Sequence, residues 1–283
     1  MPYKQTNTQC VVHLVALQGL SPIIMAQCQA LRAEAGRLWT DLVLLHTQAR
    51  EEERWLSAGE LEQATKGGQY ALHSQSVQAL CQKFAANVET ATALRKQEQT
   101  ETGHLQTQYP HHPKAYQTVV WTDQALTLLP SGHLRLPCGG QRPPLLLLLP
   151  TEYRHANLRG VEMTWRADHY ELCLTLDTGE TPPPPLLAGE SAGVDLGEVY
   201  VATVATTKRH ALVVSGRQLR ACKQWRNKVH AVLQERLSRC QAGSRRAKRL
   251  NRRKAQVSAK LNRQQRDLLH QAARKVVDFC ERE

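Results

Sequence analysis

The stretch Ser191–Gly216, SAGVDLGEVYVATVATTKRHALVVSG, decides how this chain is read. It breaks into three short β-rich runs, AGVDLGE, VYVATVAT and ALVVSG, which predict a three-stranded meander. The first run carries an acid, Asp195, between apolar residues and a glycine. On local pattern alone that acid is either a turn-forming Asp or a metal-binding carboxylate.

Beyond the meander the chain turns helical and cationic. A helix is expected over Arg217 to Cys240, stopped by Gly243, and another begins after Ser244 at the N-cap and runs toward the C-terminus. Its apolar stripe is thin, Leu250, Val257, Leu261, Leu268, Ala272 and Val276. Around Leu250 the segment RRAKRLNRRK holds Arg245, Arg246, Lys248, Arg249, Arg252, Arg253 and Lys254, and no acid occurs between Glu235 and Asp267. Successive residues step about 100° around a helix, so these charges wrap most of its surface without Glu or Asp at i,i+4 to pair them. A polyanion is the expected partner, bound through phosphates and sensitive to salt.

The charge of the whole chain agrees. The net charge is +12 over 283 residues, yet residues 1–200 hold 15 Lys+Arg against 20 Asp+Glu, and residues 201–283 hold 22 against 5. The polyanion-facing part is therefore the last third. Eight cysteines lie scattered with no C-x-x-C pair, so no zinc site is expected and the thiols read as reduced. The longest apolar run, Leu145 to Leu149, is five leucines between prolines, far short of a membrane span. With no signal-peptide pattern at the start, a cytoplasmic location is expected.

Upstream, Thr8 to Leu17 predicts a strand. A helix follows with Ser21 at its N-cap, Pro22 at its first position and Ile24, Cys28, Leu31, Ala35, Leu38, Leu42 and Leu45 on one face. A second helix from Ser74 to about Lys96 aligns Val77, Leu80, Cys81, Phe84, Val88 and Ala91, with a short helix and a glycine turn between the two. From Tyr109 the texture becomes β, predicting a small barrel or sandwich, and the proline-rich Thr181 to Glu190 reads as a linker.

An acid on a first strand, then a meander, then helices, opens the RNase H-like arrangement, in which separated carboxylates converge on two Mg²⁺ ions. GVDLGEVYVATVAT, SGRQLRACKQWRNK, SRRAKRLNRRKAQVSAKLNRQQRDLLHQAARKVVDF and ALHSQSVQALCQKFAANVETATALRK together resemble the TnpB, or OrfB, family of insertion sequences, compact RNA-guided DNA endonucleases also called transposases. The resemblance implies an α+β protein. Residues 1–186 would form a wedge-type β-barrel with a helical recognition insert at about 18–108, and residues 187–283 the N-terminal part of a RuvC-like nuclease domain. It further implies guide RNA and a DNA target as partners, Mg²⁺ as the metal with Asp195 as the first catalytic acid, and the 245–254 cations against nucleic acid. The family's second acid, its zinc ribbon and its third acid have no counterpart in this chain, since Asp267, Asp278 and Glu281 fall on the long helix. The expectation is a C-terminally truncated, cleavage-incompetent, nucleic-acid-binding chain. The alternative is a naturally nuclease-dead, repressor-like binder.

Overall fold

The computed structural model describes residues 8–140, 142–181 and 191–282. They fall into two compact units, one holding residues 8–165 and 169–181, the other residues 166–168 and 191–282. The expected linker lies, from Pro182 to Glu190, outside the described residues, as does the boundary at 186/187.

In the first unit, strand β1 (Cys10–Leu17) leads into helix α1 (Pro22–Glu51), whose first turn is closed by Ser21 Oγ accepting from the Ile24 amide at 3.3 Å. Cys28, Leu31, Ala35, Leu38 and Leu42 face the core, as their spacing predicts. Helix α2 (Ala58–Ala64) begins with a reciprocal Ser57–Glu60 capping box. Helix α3 (Ser74–Glu101) runs one turn past its predicted end and packs Leu80, Cys81, Phe84 and Val88 inward. Beyond it Glu98 accepts from the Gln106 and Thr107 amides and from Thr107 Oγ1, turning the chain back. The returning segment runs antiparallel to α1, with the Lys114 amide on Thr40 Oγ1 at 3.1 Å and the Gln117 amide on the Arg32 carbonyl at 3.0 Å. Gly36 makes that crossing possible: a Cβ there would lie 2.6 Å from the backbone of Lys114 and Ala115.

The strands after this crossing are β2 (Val119–Thr122), β3 (Thr127–Leu128), β4 (His133–Leu136), β5 (Leu145–Leu148), β6 (Leu158–Arg166) and β7 (His169–Asp177). They form two sheets, ordered β1-β7-β6-β2 and β3-β4-β5. The first pairs β1 along its whole length with β7, from Cys10↔Asp177 to Leu17↔Tyr170. The expected barrel is corrected to a pair of open sheets, because no closed barrel is found among the described residues. β1 hydrogen-bonds only to β7 and β5 only to β4, so each sheet keeps two edges. The five-leucine run supplies β5, whose Leu145 and Leu147 are buried while Leu146 and Leu148 face out.

In the second unit, β8 (Ala192–Asp195), β9 (Tyr200–Thr206) and β10 (Ala211–Ser215) form the antiparallel sheet β10-β9-β8. Helices α4 (Arg217–Ser238) and α5 (Arg245–Arg282) follow. Ala202 and Val214 of the sheet bury themselves with Ala272 of α5, flanked by Val201, Leu212 and Val276. All eight cysteines are free thiols, and burial pushes the Cys28 thiol up to about 12. Among the described residues no helix is long and apolar enough to cross a membrane.

Candidate nucleic-acid interface and the Asp195 edge

Helix α5 is one uninterrupted rod of 38 residues, about 57 Å long at 1.5 Å per residue. Gly243, at φ +76°, lets the chain turn after α4, and Ser244 Oγ then accepts from the Ala247 amide at 3.2 Å to start α5. Ala247, Val257 and Leu261 form the buried stripe, with Leu233 inward from α4. α4 and α5 therefore lie antiparallel, fastened by Lys254 Nζ donating to Gln234 Oε1 at 2.9 Å and by a Ser258 Oγ–His230 Nε2 hydrogen bond of 3.1 Å.

Because the stripe is so narrow, almost everything else on α5 faces water. Arg245, Arg246, Lys248, Arg249, Arg252 and Arg253 are exposed and Lys254 is half-buried. None of the seven forms an ion pair with a carboxylate among the described residues; the pairs near them are Arg239–Glu235 on α4 and Arg274–Asp278 at the far end of α5. The densest run of charge ends at residue 254, yet the cationic surface continues. Arg217, Arg220, Lys228 and Arg236 of α4, and Lys260, Arg263 and Arg266 of α5, are exposed as well. The sequence signal for the α4 residues is the absence of any acid from Val199 through Gln234.

Asp195 ends β8, opposite Thr203 of β9. β8 is an edge strand, and all four of its residues are exposed. Directly opposed residues share a face, so the register places Val194 with Val204 and Leu212, toward α5. Asp195 falls with Thr203 and Val213 on the other face. The loop after Asp195 is tied to the start of α4: the Gly216 amide donates to the Val199 carbonyl at 2.9 Å, and a Cβ at Gly216 would come within 2.5 Å of the Glu198 carbonyl oxygen. Glu198, the nearest acid in sequence, directs its carboxylate to Lys223 at 3.3 Å. Asp267 is exposed, Asp278 accepts from Arg274 at 2.7 Å, and with Glu281 all three sit on α5 rather than on a strand beside Asp195.

Among the described residues no group of three or more His, Cys, Asp or Glu side chains is gathered to hold a metal ion. Two-metal phosphodiester chemistry needs several carboxylates to position ions about 4 Å apart. Asp195 alone does not fit that requirement.

Residues 173–283 match the family model OrfB_IS605, described as a probable transposase. The fold is similar to that in the cryo-EM structure of a Cas12f1–sgRNA–target DNA complex, with a TM-score of 0.60 at 12% identity over 92% of this chain and 63% of that one. A second solved structure, a CRISPR-Cas12f ternary complex, aligns at 13% identity over 92% of this chain and 61% of that one, with a TM-score of only 0.35. The chain thus spans somewhat under two thirds of the length of these solved chains. Comparison with curated proteins found no match.

Proposed function

We propose that this chain works in RNA-guided DNA recognition of the TnpB/OrfB type, with a structured guide RNA and a DNA target as its partners and the prokaryotic cytosol and nucleoid as its place. The observation that carries this reading is the α4–α5 hairpin. It is long and cationic, with no acid from Arg236 through Arg266, and its helix α5 packs on the sheet that bears Asp195. Arg245, Arg246, Lys248, Arg249, Arg252, Arg253 and Lys254 contact phosphates, which positions nucleic acid without reading its sequence; sequence is read by base pairing with the guide. The OrfB_IS605 match over the same segment supports it.

On this reading Asp195 is one metal-binding acid of a RuvC-like centre, and Mg²⁺ would supply charge neutralisation and an activated water there. No other acid among the described residues gathers beside Asp195 to complete such a centre, so on this reading the chain binds RNA and DNA without cutting. No guide-directed cleavage in Mg²⁺ or Mn²⁺ is then expected from this chain, and Asp195→Ala leaves binding intact. Metal-dependent cutting by the 283 residues that vanishes in Asp195→Ala would refute this part.

The binding claim is tested by replacing Arg245, Arg246, Arg249, Arg252 and Arg253 together with Gln and titrating a structured RNA at several salt concentrations. Each lost phosphate contact removes roughly 0.7–0.9 from the slope of log K against log salt, so the slope falls by up to about 4. An unchanged slope would sink the assignment.

A further inference from the structure

The first unit contains a cleft that the cationic hairpin does not explain. It measures about 340 Å³ and lies where the returning segment Gln108–Lys114 crosses α1 and α3. Lys114 is half-buried, and its ammonium rests on the indole of the buried Trp39, 3.7 Å from the ring centre. No carboxylate pairs with it among the described residues; the charged group it senses is Lys83, itself 3.9 Å from Glu162. Burial and that like charge together lower the Lys114 pKa from its ordinary value. A partly desolvated cation without a counter-ion is costly unless an anion arrives.

The remaining lining adds flat rings and free amides. The ring centres of His111 and His112 lie 3.8 Å apart with their planes tilted by 44°, and His111 Nδ1 donates to the Tyr109 carbonyl at 2.9 Å, which holds that ring against its own loop. Tyr109 is held from behind by the guanidiniums of Arg50 and Arg95, 4.5 and 5.0 Å from its ring centre. Asn87 and Gln108 are exposed lining residues whose side-chain amides hydrogen-bond to no other side chain or backbone group among the described residues. The nearby acid Glu98 is occupied by the amides of Gln106 and Thr107. One unpaired cation, two adjacent imidazole rings and two unspent amides in a space of nucleotide size match a phosphate, a base face and a base edge.

We infer that this cleft is a second nucleic-acid site, taking one unstacked nucleotide of a single strand, with Lys114 on its phosphate, His111 and His112 against its base, and Asn87 and Gln108 on the base edge. The inference rests on the reading of the chain as a nucleic-acid binder and deepens it by naming where a single strand is held.

The test uses the full 283-residue chain with a single-stranded DNA dodecamer carrying 5-iodouracil, photocrosslinked and mapped by peptide mass spectrometry. Adducts are expected within residues 108–114 and on Trp39, and they persist when the five α5 arginines are replaced by Gln. His112→Ala weakens binding of the dodecamer about tenfold, the low end of what one stacked base contributes. Lys114→Ala lowers its salt slope by about 0.7, Lys114→Arg restores it, and affinity for fully paired RNA stays unchanged in all three. Circular dichroism melts confirm that each variant is folded. Adducts confined to α4 and α5 would overturn the inference while leaving the proposed function standing. Displacement of the dodecamer from the cleft by an equal concentration of AMP would overturn it in favour of a free nucleotide. No binding of any nucleic acid would remove both readings.

Discussion

The two units spend their apolar residues differently. In the first, helices α1 and α3 and both sheets share one continuous core, with Leu38, Leu42, Phe84, Trp121, Leu134, Met163 and Leu174 all fully buried. In the second, the sheet buries little beyond Ala202, Val204 and Val214, while Val194, Leu196, Val199, Tyr200 and Val213 remain exposed. The first unit is held by its own packing. The second carries an open strand edge and a cationic hairpin, features that gain most from a partner.

This contrast is open to attack at several points. The largest stability loss is expected from Phe84→Ala. The ring lies edge-on to Trp39 at 5.2 Å and to His46 at 5.7 Å, and its removal should cost about 3–5 kcal/mol by denaturant titration. Val214→Ala in the second unit removes two methyls from a thin cluster and should cost about 1.5 kcal/mol. A Val214 loss as large as that of Phe84 would erase the distinction.

A pH titration sharpens the comparison further. His46 is buried among Trp55, Phe84 and Tyr109, and its Nε2 has no hydrogen-bond partner. Burial first, and Arg50 second, hold its pKa below the ordinary imidazole value. As the pH falls through about 6.5 the unfolded chain takes up a proton that the folded one resists. Stability present at pH 8 is therefore lost on the way down to pH 5. The melting temperature should fall by a few degrees over that range, and His46→Phe should flatten the dependence. The smallest effect is expected at Val213→Lys. This residue is 53% exposed, and the change should stay within about 0.5 kcal/mol. A larger cost would show that the outer sheet face is packed after all.

Much of the fold is legible in the sequence. Ser21–Pro22 and the 3/4 spacing of Cys28, Leu31, Ala35, Leu38 and Leu42 specify α1 because capping and amphipathic period are local properties. Ser244, Gly243 and the run without acids specify α5 and its charge for the same reason. The cleft at Lys114 is not legible in this way. Its parts come from α1, α3 and a returning loop separated by tens of residues, and only Gly36, by admitting the Lys114–Ala115 backbone, brings them together.

From sequence alone came the identity of the elements, the segregation of charge into the last third and the placement of Asp195 on a strand, since each depends on residues within a few positions of one another. The tertiary structure decided what depends on pairing across distance. β1 joins β7 as the two ends of the first unit's β-chain, and the sheets stay open where a barrel was expected because β1 and β5 each find one partner only. Asp195 takes its face of the sheet from the register against Thr203, and a shift of one residue would have turned it toward α5 instead.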